Sequence, residues 1–225
     1  MRSDFYIKNL VLRPRAMQFS RNILYRKLLH GTDIRSICEI GPGFGEFAHY
    51  CRNKGIRWIG IEPNDSLRSS LIEEGFEVHP AVLPEMPLLN ASFDALFAAH
   101  VIEHMEGLSQ ALRFLETCKQ LLLRGDAKYL VLLYPDILRC GHLFWHDYTH
   151  SFVTSRGRIE QMLHDEGWEI CRSGHYAACF FRCSGLISRM GALASRAVFP
   201  RRLSEFLRLS IQQHGFTIAK YPRGR

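Results

Sequence analysis

The 225-residue sequence predicts an α/β protein built on a doubly wound, mostly parallel sheet. Two observations lead to this fold class. From residue 34 onward, short apolar segments alternate with helical ones, and this βαβα order is typical of parallel strands joined by right-handed crossovers. The glycines, acids and histidines that stand out all follow the ends of predicted strands, where ligands bind in such sheets.

Seven apolar segments have the length and composition of strands. YLVLLY, residues 129–134, is apolar on both faces, as a central parallel strand should be. The predicted strands are Ile34–Ile40, Arg57–Glu62, Phe76–His79, Phe93–His100, Tyr129–Tyr134, Trp168–Phe180 and Phe216–Tyr221.

The segments between the strands contain helix signals. Asp65 is the expected N-cap of the second helix, and Gly75 lies just beyond its end. Residues 107–123 place apolar side chains at three- and four-residue spacing, which predicts one face towards the core. After residue 136, Gly141 and several aromatic residues favour a loop over a helix. The predicted helices are Gly45–Lys54, Ser66–Glu74, Gly107–Leu123 and Ser155–Glu166.

The length favours a single domain over residues 1–225, with a basic helical N-terminal segment at 1–33 and a basic amphipathic helical insertion at 184–212. The sequence shows no signal-peptide core and no apolar run of transmembrane length. Its seven cysteines lack zinc-ligand spacing and are interpreted as reduced thiols. We therefore expect a cytoplasmic protein that can be peripheral on the inner membrane face.

The positive charge is concentrated at the two ends of the chain. Residues 1–30 carry a net charge of +6, residues 31–181 carry −7, and residues 182–225 carry +8. These basic segments either form ordinary solvated surface or form a surface that binds phosphate groups. The phosphates would belong to an anionic membrane, a lipid-linked substrate or nucleic acid.

The segment CEIGPGFGE, residues 38–46, follows the first predicted strand and suggests a ligand-binding loop. In a dinucleotide-binding loop, the third small residue comes five positions after the first glycine. Counted from Gly41, that residue is Glu46, whose carboxylate would repel a pyrophosphate. No Gly-Lys-[Ser/Thr] of a P-loop follows. The loop therefore suits a ligand that has hydroxyls and an amine but no pyrophosphate.

Two sets of residues carry a family resemblance. Glu39, Gly41, Gly43 and Gly45 have the spacing acid-x-Gly-x-Gly-x-Gly, and Glu62 ends the next strand. The stretch PEMPLLNASFDALFAAHVIEHM adds a proline-bearing loop, a Phe-Asp pair and an apolar-Glu-His triplet. Together they resemble the class I S-adenosylmethionine-dependent methyltransferases, in the ubiquinone-type small-molecule branch. The resemblance extends from residue 34 to about residue 180. It implies a Rossmann-like, seven-stranded methyltransferase sheet with a helical insertion before an antiparallel last strand.

The resemblance implies S-adenosylmethionine as cofactor and gives roles to the residues at the strand ends. Glu62 would accept hydrogen bonds from both ribose hydroxyls. Glu39 would approach the methionine ammonium group, and the glycines would let the backbone reach the same end. Val82 stands where this branch often has an acid near adenine, so adenine contact there would be apolar or through backbone. The implied cofactor-binding residues are Glu39, Gly41, Gly43, Gly45, Glu62, Pro63, Leu83 and His100.

A hydroxyl acceptor benefits from a general base, which is most often a histidine. We select His146 as the first candidate and His104 as the second. The Asp-x-Thr-His motif that ends at His150 is interpreted as fixing its loop. Trp145 and Tyr148 either stack on a sugar or ring of the acceptor or serve in packing.

A metal site is also considered and not expected. Some ubiquinone-pathway O-methyltransferases hold a metal with carboxylates and the Glu-His pair that corresponds to Glu103 and His104 in this sequence. However, His100 stands where the resemblance would place another carboxylate.

The predicted function is O-methylation of a small molecule, a saccharide or a lipid-linked acceptor. A membrane-bound acceptor would be reached through contact of residues 1–30 and 182–212 with an anionic surface. One alternative is nucleic-acid methylation, which the sequence pI of 9.2 favours. Against it, the sequence lacks an interleaved aromatic-basic module, and the NPPY-like motif is replaced by AAHV. Another alternative is a non-catalytic lipid- or protein-binding module on the same fold.

Overall fold

A computed structural model describes residues 15–82, 84–85, 92–124, 128–177 and 213–222. By its internal contacts the chain divides into two compact units, residues 31–175 with 214–225, and residues 1–30 with 176–213. The predicted insertion at 184–212 and the loop containing Pro87 lie outside the described residues. The expectation of a single domain stays a prediction.

Seven strands form one mixed sheet. They are β1 (Ser36–Ile40), β2 (Arg57–Ile61), β3 (Val78–His79), β4 (Ala95–Ala99), β5 (Tyr129–Pro135), β6 (Glu169–Ala177) and β7 (Gln213–Lys220). Their order across the sheet is β3-β2-β1-β4-β5-β7-β6. β1 pairs in parallel with β2 and β4, whereas β7 runs antiparallel to β5. This topology confirms the predicted doubly wound sheet with an antiparallel last strand.

The helices follow the predicted order closely. They are α1 (Arg15–Leu29), α2 (Glu46–Asn53), α3 (Asp65–Glu73), α4 (Leu108–Arg124), α5 (Ile137–Cys140) and α6 (Arg156–Asp165), with 3₁₀ turns at Ile102–His104 and Gly141–His146. The predicted N-cap of α3 is wrong by one residue. Asn64 Oδ1 accepts a hydrogen bond from Leu67 N at 3.0 Å, and Asp65 is already helical.

The segment after β5 is also more regular than predicted. It was expected to be a loop, but it forms α5 and then a 3₁₀ turn. The Asp136 side chain caps α5 by accepting from Leu138 N at 3.0 Å. Gly141, at φ 59°, stands where α5 ends and the 3₁₀ turn begins. The helix break that Gly141 predicts therefore falls between the two short helical segments.

The hydrophobic core lies between the sheet and its helices. β5 is buried from Leu130 to Pro135, as predicted for a central strand. The apolar face of α4 confirms the predicted helical period and packs into the same core through Ala111, Phe114, Leu115, Cys118, Leu121 and Leu122. The five cysteines within the described ranges are free thiols, and four of them are buried.

The other unit contains α1, which lies inside the predicted basic N-terminal segment. Its sequence, RAMQFSRNILYRKLL, has four Lys/Arg residues and no acid. Among the helices that the structure describes, none is both long enough and apolar enough to cross a membrane.

Candidate active site

The glycine loop follows β1 and contacts the segment that follows β4. Gly41, Gly43 and Gly45 have φ values of 68°, 55° and 71°, a region that other residues rarely adopt. A Cβ at Gly41 would lie 2.9 Å from Val101 Cγ2, and a Cβ at Gly45 would clash with Leu71. A Cβ at Gly43 would meet no atom within 4 Å. Gly43 is therefore the point where a ligand has room to approach the loop backbone.

Glu62 ties the end of β2 to the glycine loop. Its Oε2 accepts a hydrogen bond from Gly43 N at 3.1 Å, and its Oε1 accepts from Asn64 N at 2.9 Å. Each carboxylate oxygen has a second lone pair, so both could still accept a ribose hydroxyl. Burial raises the pKa of Glu62, although the two backbone donors and Arg68 oppose the shift. These two acceptor oxygens fit the predicted cofactor, since the two ribose hydroxyls need two adjacent acceptors.

Glu39 lies inside the sheet rather than on its open edge. The side chain is 3% exposed, and its Oε2 accepts from the Trp58 indole Nε1 at 2.8 Å. Burial raises the pKa of Glu39 to about 8, against the opposing effect of the Trp58 hydrogen bond. No sequence pattern predicts the contact of Trp58 with Glu39. In the structure, Gly60 is paired with Glu39, and its missing side chain leaves room for the Trp58 ring.

The buried carboxyls predict how stability depends on pH. Burial raises the pKa of Glu39 to about 8 and that of Glu103 to about 7, from an ordinary value of 4.5. Between these limits the folded chain binds more protons than the unfolded chain, so the free energy of unfolding falls as the pH rises. The slope is at most about 1.4 kcal/mol per pH unit for each group. Urea unfolding at pH 5, 6, 7 and 8 measures it, and Glu39→Gln should flatten the curve. A wild-type curve that rises over this range, or an unchanged slope in Glu39→Gln, would contradict this explanation.

Glu103 is the centre of a histidine cluster beyond β4. Its side chain is fully buried, and Oε1 lies 3.1 Å from His100 Nδ1 and 4.0 Å from His150 Nε2. Within the described part of the chain, Oε2 has no hydrogen-bond partner. Burial raises the pKa of Glu103 to about 7, and the nearby His104 and His150 imidazoles oppose the shift. A carboxylate without a full set of partners is costly to bury, which points to a role beyond packing.

His104 and His150 are both anchored through Nδ1. His150 Nδ1 donates to the Phe144 carbonyl at 2.7 Å. His104 Nδ1 donates to Thr149 Oγ1 at 2.9 Å, and Thr149 Oγ1 donates in turn to Asp147 Oδ1 at 2.6 Å. These bonds agree with the interpretation that the Asp-x-Thr-His motif fixes its loop.

The same cluster has donor atoms at metal-ligand spacing. One nitrogen each of His104 and His150 and one oxygen of Glu103 lie within 4.8 Å of one another. Two imidazoles and a carboxylate are a donor set that a divalent transition metal accepts. The absence of a metal stays a prediction.

The two residues selected as candidate bases have different neighbours. His104 belongs to the Glu103 cluster, whereas His146 ends a 3₁₀ turn with its ring 5.8 Å from the His142 ring. Of the remaining predicted cofactor contacts, Pro63 is exposed beside Glu62, and Leu83 lies outside the described residues. Val82 is 67% exposed, so it is available for apolar contact.

Comparison with known proteins connects this site to one kind of domain. Residues 38–126 match the family model of a methyltransferase domain. This range includes the glycine loop, Glu62 and the Glu103 cluster, except for His150. No curated protein matches the chain in sequence.

Solved structures agree on the fold. An S-adenosylmethionine-dependent methyltransferase from Archaeoglobus fulgidus is 20% identical, with a TM-score of 0.60 over 91% of this chain and 94% of that one. The complex of the Haloferax volcanii Trm112 activator and a methyltransferase has a chain that is 12% identical. Its TM-score is 0.69 over 99% of this chain and 100% of that one. Magnesium protoporphyrin IX methyltransferase from Synechocystis PCC 6803, solved with bound S-adenosylmethionine, is 12% identical. Its TM-score is 0.57 over 99% of this chain and 86% of that one. The ubiquinone-type branch stays a prediction.

Proposed function

We propose that the chain is a class I S-adenosylmethionine-dependent methyltransferase that O-methylates a small molecule, a saccharide or a lipid-linked acceptor. The match of residues 38–126 to a methyltransferase domain and the fold support this proposal. When bound, S-adenosylmethionine supplies a methyl group on a positively charged sulfur. The acceptor oxygen that takes the methyl group has to give up its proton. The chain has to align the two reactants and receive that proton.

The alignment is assigned to the crevice between β1 and β4. In this sheet order the crossovers reverse direction at β1, and ligands bind at such switch points beyond the carboxyl ends of the strands. Glu62 lies on the β2 side of β1, so the ribose would sit there. The methionine end would then extend past Gly43 towards the residues that follow β4. The acceptor would approach from the β4 and β5 side.

The cluster of histidines around Glu103 is the observation that supports a hydroxyl acceptor. His100, His104 and His150 surround one buried carboxylate next to the glycine loop. A carboxylate acceptor would need no base, whereas a hydroxyl acceptor needs a group that takes its proton. Trp145 and Tyr148, 55% and 76% exposed, follow β5 and suit stacking on a sugar or aromatic ring.

Transfer from methyl-tritiated S-adenosylmethionine tests this function. The acceptor panel contains a catechol, a quinol, free and polyprenyl-linked saccharides, a fatty acid, RNA and DNA. We expect label in a hydroxyl compound, as a methyl ether that survives mild alkali. Label that is lost in alkali would indicate a methyl ester and contradict a hydroxyl acceptor. Label in RNA or DNA alone would favour the nucleic-acid alternative. If the chain neither binds S-adenosylmethionine nor transfers the label, the alternative of a non-catalytic module would be favoured.

The basic helix α1 supports contact with an anionic membrane surface. It has four Lys/Arg residues and no acid, and each basic residue near such a surface contributes about 1 kcal/mol. Contact with the inner membrane face would bring the enzyme to a lipid-linked acceptor. The partner segment 182–212 is assigned the same role on its sequence alone.

Vesicle sedimentation tests the membrane contact. We expect the chain to pellet with phosphatidylglycerol vesicles at low salt and to stay in solution with phosphatidylcholine vesicles. Neutralising Arg26 and Lys27 to Gln should weaken pelleting about tenfold or more, since two charges are lost. The matched control neutralises Lys54 and Arg124, two exposed cations outside α1. Equal losses in both variants would argue against a specific role for α1.

A further inference from the structure

We propose that His100 is the general base of the proposed O-methylation and that Glu103 is its positioning residue. The inference rests on the proposed function and adds to it the atom that takes the proton. His100 was expected from the sequence only as a neighbour of the cofactor's methionine end. The structure gives it the environment of a catalytic imidazole, through its buried partner, its place in the sheet and its backbone.

The partner of His100 is the carboxylate of Glu103. His100 Nδ1 lies 3.1 Å from Glu103 Oε1, and the Glu103 side chain has no exposed surface. Above a pH of about 7, where Glu103 is ionised, its carboxylate only accepts hydrogen bonds, so Nδ1 carries the hydrogen of the neutral ring. Nε2 is then the nitrogen with a lone pair for the acceptor's proton. Once that proton has moved, the buried negative charge stabilises the imidazolium.

The place of His100 in the sheet suits this role. It directly follows β4, and its neighbour Val101 contacts Gly41 of the glycine loop. Glu62 stands at the end of β2, on the opposite side of β1. If the ribose lies at Glu62, the reacting end of the cofactor is directed towards β4 and thus towards His100. The His100 side chain is also 40% exposed, so an acceptor can reach it.

The backbone of His100 is strained. Among the described residues, it alone has a positive φ without being glycine, at 59°. A left-handed residue with a side chain costs about 1–2 kcal/mol. The same turn leads into the 3₁₀ helix at Ile102–His104 and brings Glu103 within reach of Nδ1 three residues later. Strain of this kind is tolerated at functional sites when it places a reacting group.

The other histidines of the cluster have different surroundings. The His150 side chain is 14% exposed and donates to a backbone carbonyl. His104 is exposed, but its Nδ1 contacts Thr149 instead of a carboxylate. Among the described residues, His100 has a carboxylate within hydrogen-bond distance, whereas His104 and His150 have none.

Two measurements on the full chain test the assignment. The first is the ¹⁵N spectrum of its histidines, which reports the tautomer of His100. At about pH 8, where Glu103 is ionised, we expect hydrogen on Nδ1, and hydrogen on Nε2 at that pH would overturn the assignment. The second is transfer to whichever hydroxyl acceptor is labelled, with the variants His100→Asn, Glu103→Gln and His164→Asn. Asn is chosen because it tolerates a left-handed backbone. His164, 84% exposed beside Asp165, is the matched control.

We expect kcat to fall by about 10²–10⁴-fold in His100→Asn, with S-adenosylmethionine affinity unchanged within a few-fold. Glu103→Gln should lower kcat less and change its pH profile, whereas His164→Asn should match the wild type. Near-normal kcat in His100→Asn would overturn the assignment and leave the proposed function intact. Loss of transfer on chelation, with recovery on adding Zn²⁺ or Mn²⁺, would also overturn it, because Glu103 would then serve a metal. If no acceptor is labelled, the proposed function fails. The tautomer measurement then still shows whether His100 Nδ1 donates a hydrogen bond to Glu103.

Discussion

Replacing Glu62 with Gln is expected to weaken the binding of S-adenosylmethionine by a hundredfold or more. The proposed site uses both Glu62 oxygens for the ribose, while each also holds a backbone N–H at the glycine loop. Gln keeps one uncharged acceptor oxygen, so one hydrogen bond to a charged group, of about 1.5–3 kcal/mol, is lost and the other falls to the roughly 0.5–1.5 kcal/mol of a neutral bond. The total loss is about 2.5–4.5 kcal/mol. Each 1.4 kcal/mol is about tenfold in affinity. Isothermal titration of both proteins measures the difference.

The matched control is Glu73→Gln, an exposed acid on α3 that should leave the affinity unchanged. Thermal unfolding of each variant separates lost affinity from lost structure. Equal affinity in wild type and Glu62→Gln would place the ribose elsewhere, even if methyl transfer were observed.

Replacing Asp136 with Ala is expected to lower the free energy of unfolding strongly. Its side chain is 2% exposed and accepts three hydrogen bonds, from Leu138 N at 3.0 Å, Arg156 N at 3.1 Å and His175 Nε2 at 2.8 Å. The substitution leaves three donors without their acceptor and removes the cap of α5. We expect the free energy of unfolding to fall by about 3–5 kcal/mol, since each orphaned buried donor costs about 1–3 kcal/mol.

Urea unfolding measures this change, with Asp65→Ala as the control. Asp65 is 89% exposed and forms a surface ion pair with Arg68, so its loss should cost less than about 1 kcal/mol. A loss below about 1 kcal/mol in Asp136→Ala would show that water replaces the carboxylate and that the three bonds contribute little.

The sheet could be predicted because its signals are local. The apolar run at 129–134 and the helical period of α4 depend only on neighbouring residues, and both match the structure. The cap of α3 shows the limit of such signals. Asn64 and Asp65 are both good capping residues, and only the backbone conformation decides which one lies outside the helix.

The candidate site could be predicted only in part, because its contacts join distant segments. The order of the predicted strands places the glycine loop and Glu62 at neighbouring strand ends, where the structure has them, but the Trp58 bond to Glu39 depends on strand register. His150 reaches Glu103 only because the backbone of residues 151 and 152 hydrogen-bonds to the Glu103 carbonyl. No local pattern shows that a carboxylate after β4 is fully buried among these histidines.

A crystal structure of the chain with S-adenosylhomocysteine tests the central claim most directly. The claim is that the cofactor binds between the end of β2 and the end of β4, over the glycine loop. The predicted result is both ribose hydroxyls within hydrogen-bond distance of Glu62, the amino-acid end over Gly41 and Gly43, and the sulfur on the side of His100. Density for the ligand at any other edge of the sheet, or a ribose that does not contact Glu62, would contradict it.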